Sequence, residues 1–237
     1  MRTDVTADDV DRALDVRDAD AWRELADDVG AIDLLFNNAG ISMGGRTHEL
    51  TAAHWRRIID VNVLGVVNGI LAVYPGMVER GAGHIVNTAS AAGLAAPPFV
   101  TAYATTKHAV VGLSTSLRAE AALHGVRVSV LCPGSVETAI LDRLPDSDLP
   151  ATATPPVTAR QYLAVARQRP ITVEQLATRA LDGVARNRAI IVVPRVAKVL
   201  WQVQRMSPRL FGAVSRTVAR RVERQLLTPA PPAPPRP

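Results

Sequence analysis

Short apolar runs alternate with helix-length stretches along most of this 237-residue chain, and no other feature narrows its possible folds so far. Asp33–Phe36, His84–Thr88, Val126–Leu131 and Ala189–Val193 have strand length and little polar interruption, and Arg12–Val16 is short and apolar enough to join them. Between them Asp18–Val29, Thr51–Val78, Ala102–His124 and Thr172–Arg186 read as helices. Asp18 and Thr51 stand where caps belong, Glu174 falls in a first turn, and Gly125 closes the third of these helices. Continuous apolar strands alternating with helices predict an α/β fold: a doubly wound, mostly parallel sheet covered on both faces, with right-handed crossovers. Ligands bind such sheets outside the carboxyl ends of the strands. The polar or glycine-containing loops after Val16, at Asn37–Gly40, at Ala89–Gly93 and at Cys132–Thr138 all fall on that rim.

Composition removes several function classes. A chain with 48% hydrophobic and 21% charged residues is globular rather than disordered or fibrous. The single cysteine, Cys132, excludes an internal disulfide and a Cys-rich zinc site, and suits a reducing, cytoplasmic setting as a buried core thiol. The five histidines are scattered, so no metal site is expected. No run of 18 apolar residues predicts a membrane-spanning helix, and the acidic start does not resemble a signal peptide. The net charge of +5 is unevenly spread. Residues 1–33 carry 11 acidic side chains against four arginines, whereas residues 195–237 carry nine cations against one glutamate. The basicity therefore belongs to the tail, and without an aromatic-and-basic constellation of the kind that stacks bases, nucleic acid is not an expected partner.

Cation usage makes one position stand out. The chain has 25 arginines and only two lysines, Lys107 and Lys198. Lys107 lies four residues after Tyr103 on a predicted helix, so both side chains project from one face. A phenol is a poor acid/base near neutrality, with a reference pKa of roughly 10, but an ammonium stabilises the phenolate. At about 4 Å and an effective dielectric near 20 that attraction is roughly 4 kcal/mol, about three pKa units, which predicts a Tyr103 that titrates near 7. A packed tyrosine beside a surface lysine is the plainer alternative. Ser90, at a strand end 13 residues before Tyr103, could orient a substrate carbonyl or simply cap its own loop. Asn62 interrupts a long helical stretch, where a buried amide needs partners. It could bend the helix, hold a water or be purely structural.

Asn37-Asn38-Ala39-Gly40, Asn62, Ser90, Tyr103-Ala104-Thr105-Thr106-Lys107 and Pro133-Gly134-Ser135-Val136-Glu137-Thr138 occur in an order and approximate spacing that resembles the classical short-chain dehydrogenase/reductases. The resemblance covers about Arg12 to Pro194. It implies a Rossmann-like fold, an NAD or NADP cofactor, and reversible hydride transfer between that cofactor and an alcohol or ketone carbon. Carried over residue by residue, it makes Tyr103 the acid/base and Ser90 the group that positions the carbonyl. Lys107 would lower the Tyr103 pKa and bind the nicotinamide ribose, and Asn62 would hold a water through its main chain. Asp15 and Val16 would contact the adenine, Asn38, Ala39 and Gly40 would line the cofactor, and Pro133, Gly134, Val136 and Thr138 would embrace the nicotinamide.

The start of the chain departs from that pattern, because the first glycine is Gly30 and the family's Gly-rich turn over the pyrophosphate has no counterpart in Met1–Val29. The expectation is an N-terminally truncated sheet with an unpaired strand edge, weak dinucleotide binding by this form, and no readable choice between NAD and NADP. Either the natural protein is longer, or the chain is an inactive homologue kept as a binding or assembly partner. Leu94, Pro97, Pro98, Phe99, Ile140 and Leu141 suggest an apolar alcohol or ketone as substrate. Residues 139–170, rich in Pro and Thr, read as a mobile surface segment. Helices Thr51–Val78 and Ala102–His124 could pair across a two-fold axis in a homo-oligomer. The expected organisation is a partial domain over residues 1–194, a basic amphipathic helical extension over 195–227 divided at Ser207-Pro208, and a disordered Pro-rich tail over 228–237. The extension could pack on the domain or on a partner subunit, or lie on an anionic membrane surface.

Overall fold

The computed structural model describes residues 3–4 and 11–227. Strands are β1 (Thr3–Asp4), β2 (Arg12–Ala13), β3 (Leu34–Asn37), β4 (Gly83–Thr88), β5 (Val126–Pro133) and β6 (Ile190–Val193). Helices are α1 (Ala19–Val29), α2 (Ala52–Ile59), α3 (Gly65–Arg80), α4 (Thr101–Ala122), α5 (Ala159–Val165), α6 (Val173–Ala185), α7 (Arg195–Met206) and α8 (Pro208–Val222). The main sheet has the order β3-β4-β5-β6 and is parallel throughout, with Asn37 opposite Asn87, Thr88 opposite Leu131 and Pro133 opposite Val193. These pairs bring the four carboxyl ends to one rim.

Alternation along the strands sends side chains to two apolar layers. Leu35, Ile85, Val128 and Val130 face α1, α3 and α4 through Trp22, Leu25, Ile70, Val73, Met77 and Val110. Val86, Leu131, Ile191 and Val193 face α6 through Ala180 and Val184. This second layer stops short of β3. Leu34 and Phe36 are 43% and 39% exposed, and among the described residues β3 has no strand on its outer edge. The expected open edge is thus present.

Local signals explain the helix ends. The Asp18 carboxylate accepts the Asp20 and Ala21 amides at the start of α1, and Thr172 and Gln175 form a capping box on α6. Gly125, with φ +70°, follows α4 where the chain turns back into β5. The continuous helical run Ala52–Arg80 is long and apolar enough to cross a bilayer, yet Ile58, Val66, Ile70, Val73 and Met77 are buried within the fold, as in a core helix.

Two expectations need correction. Arg12–Val16 is not a strand of the main sheet: only Arg12–Ala13 is paired, and with β1. The Asp15 side chain accepts the Arg17 amide at 3.0 Å, and the Asp15 carbonyl accepts the Asp18 amide at 3.0 Å, so an Asx-type turn ends the extended run. Residues 139–170 are also not featureless. They contain a 3₁₀ turn at Ala139–Leu141 and helix α5, and ion pairs tie them down: Arg57 to Asp146 and Asp148, and Arg160 to Glu137 and Asp142. The extension divides at Ser207-Pro208 as expected, with Pro208 in the first turn of α8. The Pro-rich tail at 228–237 lies outside the described residues.

Candidate active site

The site grows from the carboxyl ends of β3, β4 and β5. Ser90 follows β4 in an extended conformation and caps the short turn Ala91–Gly93, accepting the Ala92 amide at 3.1 Å. Its hydroxyl donates to the Pro133 carbonyl at 3.4 Å and acts on the Tyr103 phenol so as to lower its pKa. Tyr103 sits in the first turn of α4, and one helical turn on, the Lys107 Nζ lies 5.7 Å from its ring centroid. Lys107 is buried and donates to the Thr88 carbonyl at 3.0 Å. Ser90, Tyr103 and Lys107 therefore share one end of the sheet.

Electrostatics differ from the sequence expectation. Burial pushes the Tyr103 phenol above its ordinary pKa, against the opposing Ser90 hydrogen bond, instead of the ammonium drawing it down towards neutrality. The Lys107 charge is itself weakened, because burial lowers its pKa to about 8. Nζ lies over the ring, with one of its three donors committed to Thr88, and desolvation wins at both groups. The Tyr103 phenol is thus neutral at neutral pH. Cys132, next to this pair, is pushed up to about 12 by burial and remains a core thiol.

The Asn62 side chain finds all its partners within the fold. It lies fully buried in a π-helical turn, Asp60–Leu64, that joins α2 to α3. Its Oδ1 accepts the Ile41 amide at 2.8 Å, while Nδ2 donates to the Ile41 carbonyl at 3.0 Å and to Thr106 Oγ1 at 3.1 Å. The amide thereby clamps the loop after β3 to α4, one residue from Lys107. The bulge supplies the room that this clamp needs in a helix interior. Between them runs Gly40, where an added Cβ would stand 3.2 Å from Asn62 Oδ1 and 3.4 Å from Lys107 Nζ. A larger residue there would press on the Asn62 amide, which would have to give by a few tenths of an ångström.

Asn38 and Ala39 are exposed at the end of β3. Pro133 is buried, and the Gly134 amide donates to the Val193 carbonyl at 2.6 Å. Val136 is buried and bridges to Ile171, and Thr138 Oγ1 donates to the Val136 carbonyl at 3.3 Å. Val16 packs on Gly65, just beyond the Asn62 bulge. The Asp15 carboxylate is engaged by the Arg17 guanidinium at 2.6 and 3.0 Å, which holds its pKa below the usual carboxylate range. The described residues contain no cluster of His, Cys, Asp or Glu able to hold a metal ion.

A family model for short chain dehydrogenases matches residues 4–148. The chain belongs to the short chain dehydrogenase family. It is 36% identical over 170 residues to the D-beta-hydroxybutyrate dehydrogenase of Rhizobium meliloti, covering 69% of this chain and 64% of that one. The probable oxidoreductase EphD of Mycobacterium tuberculosis is 33% identical over 210 residues, or 86% of this chain and 35% of that protein. Among solved structures, a short chain dehydrogenase/reductase from Burkholderia phymatum in complex with NAD aligns at a TM-score of 0.74 and 33% identity, covering 84% of this chain and 75% of that one. A gluconate 5-dehydrogenase from Burkholderia cenocepacia in complex with NADP and tartrate aligns at 0.63 and 29%, covering 76% and 72%. The chain spans about three fifths of the length of the first curated relatives it matches.

Within this short chain dehydrogenase site, several supporting contacts are not legible in the sequence. Thr106 completes the Asn62 clamp, and Thr88 receives the Lys107 donor through its carbonyl. Asn37 donates to Asn87 at 2.9 Å, and Asn87 to Ser114 at 3.0 Å, tying β3, β4 and α4 together below the rim. Asn37 and Asn87 each occupy a position that neighbouring residues mark as core, and an amide there is the signal that could have exposed the chain of hydrogen bonds.

Proposed function

We propose that this chain carries the catalytic part of an NAD(P)-dependent oxidoreductase that interconverts a secondary alcohol and a ketone, with Tyr103 as acid/base. The observation that carries this reading is the convergence of the Ser90 hydroxyl, the Tyr103 phenol and the Lys107 ammonium at the carboxyl ends of β4 and β5. The donor set fits the nicotinamide end of a dinucleotide. Lys107 and Tyr103 are polar partners for ribose hydroxyls, Gly40 lets the backbone approach closely, and the turn Pro133–Thr138 offers amide and hydroxyl partners. When bound, the nicotinamide would give or take the hydride.

The protein's own share is the proton. In the reducing direction Ser90 holds the substrate oxygen by a hydrogen bond, and Tyr103, kept protonated by burial, donates to it. The neighbouring Lys107 charge offsets part of the cost of the phenolate that remains. The Asn62 clamp fixes Gly40 and Lys107 relative to each other, so the geometry is set before substrate arrives. Tyr103 also packs in an apolar cluster with Met43, Ile58 and Leu149, while Leu94 and Leu141 are buried nearby in sequence to Ser90 and Thr138. That lining supports an apolar alcohol or ketone as substrate. Leu71 on α3 and Leu123 after α4, 68% and 83% exposed, support pairing of these helices in a homo-oligomer.

A substrate panel tests the reading through nicotinamide absorbance at millimolar NADH and NADPH. Turnover of apolar ketones in preference to small polar ones is expected. No turnover of any ketone or secondary alcohol would overturn the oxidoreductase reading and favour an assembly partner.

The extension supports a second role, peripheral contact with an anionic membrane surface. Val196, Val199, Leu200, Met206, Leu210 and Val214 are exposed on α7 and α8 beside Lys198, Arg205, Arg209 and Arg216. Sedimentation with phosphatidylglycerol vesicles, but not with phosphatidylcholine vesicles, is expected. Equal recovery in the supernatant with both would end that reading.

A further inference from the structure

The far end of the extension is not part of that exposed surface. Val222 and Leu227 are 1% and 3% exposed, and α8 and the turn after it pack on α5. At this contact one arginine gathers three distant stretches of chain. Arg46, in the loop after β3, donates to Glu223 Oε1 at 2.5 Å and to the Leu227 carbonyl at 3.3 Å. Its other terminal nitrogen reaches Thr154 Oγ1 at 3.1 Å and Glu49 at 3.5 Å. Glu49 is almost fully buried, and both its oxygens are taken by Thr154, one by the amide at 2.8 Å and one by the hydroxyl at 2.7 Å. A carboxylate so buried must be satisfied by donors, so it fixes where Thr154 can lie.

The same loop is tied to the start of the catalytic helix. The Gly45 amide donates to the Phe99 carbonyl at 2.8 Å, and Thr47 Oγ1 lies 2.8 Å from that of Thr101, two residues before Tyr103. Further along, Arg57 pins Asp146 and Asp148, and Leu149, next to Asp148, packs in the cluster that contains Tyr103.

We propose that Arg46 is a positioning residue that joins the C-terminal extension to residues 142–157, so that the two form one wall on the substrate side of Tyr103. The extension then acts on substrate binding without touching the reacting atoms. A guanidinium suits this task because its planar fork serves several acceptors in fixed directions, which a lysine ammonium cannot copy. The inference rests on the oxidoreductase reading for its substrate, while the coupling itself can be read without catalysis.

Hydrogen exchange on the full chain, compared among wild type, Arg46→Met and Glu223→Gln, tests the coupling. Glu223→Gln is the sharper variant, since it leaves Arg46, Glu49 and Thr154 tied to one another. Faster exchange of 142–157 is expected in both variants, with β4 and β5 unchanged. Exchange confined to the extension in Glu223→Gln, or spread through β4 and β5 in Arg46→Met, would overturn the proposal. Kinetics on an apolar ketone add the second readout: KM up about tenfold in Arg46→Met, as for loss of a charged hydrogen bond, with kcat nearly unchanged. An equal loss in kcat at constant KM would contradict a wall. If exchange responds as expected but no turnover is seen in wild type, the oxidoreductase reading fails and the coupling stands.

Discussion

The rim around Tyr103 and the wall opposite it are held by different forces. At the rim the ties are buried and mostly involve neutral groups or backbone: Asn62 to Ile41 and Thr106, Asn37 to Asn87, Asn87 to Ser114, and Lys107 to the Thr88 carbonyl. Along residues 137–160 and in the extension the ties are ion pairs at partly exposed positions: Arg57 with Asp146 and Asp148, Arg160 with Glu137 and Asp142, and Arg46 with Glu223. Interior hydrogen bonds are costly to break because their partners have no water to turn to, and they are little affected by salt. Exposed ion pairs are screened and individually weak. On the proposed function, the fixed geometry lies where the proton would move and the adjustable part where substrates would differ.

Stability separates the two regions most strongly. Asn62→Leu strands the Ile41 amide and carbonyl, and should cost about 2–4 kcal/mol, read as a lower midpoint of urea unfolding. Arg57→Ala should cost clearly less and leave the midpoint nearly in place. Equal losses would erase the distinction. Salt should divide them next. At about 1 M, where the screening length falls to roughly 3 Å, proteolysis within 142–158 should accelerate severalfold while exchange in β4 and β5 stays constant. A smaller effect comes from pH. Lys107 binds its proton less tightly in the fold, at about 8, than in the unfolded chain, at 10.5, so stability should rise with pH as the folded Lys107 titrates. Above about 9 the rise should be opposed, because Cys132 and Tyr103 are held protonated in the fold while the unfolded chain would lose those protons. In Lys107→Met the rising limb should vanish.

The same contrast explains what could be read from the sequence. The strands at 83–88 and 126–133 are covered on both faces, and burial on both sides requires the uninterrupted apolar runs that mark them. Tyr103 and Lys107 were legible because four-residue spacing on a helix is a local signal, sharpened by the scarcity of lysine. Asn62 was visible as an anomaly, but its π-helical turn and its clamp to Ile41 depend on a loop 21 residues away. The wall left the weakest trace. Arg46 and Glu223 are 177 positions apart, and among 25 arginines none declares its partner by spacing. Arg12–Val16 departs from its sequence pattern for a local reason. Its apolar pattern suits a strand, but the Asp15 side chain satisfies the Arg17 amide and turns the chain first. The direction of the Tyr103 shift depended on burial, which a helical spacing does not report.

The most direct test of the account is hydride transfer by Tyr103→Phe beside wild type, with NAD(P)H affinity followed by cofactor fluorescence in the same preparations. The variant keeps the ring and its packing and removes one hydroxyl. Turnover should fall on the order of 10²–10⁴-fold with cofactor affinity nearly unchanged. A Tyr103→Phe protein that turns over at the wild-type rate would show that the proton comes from elsewhere.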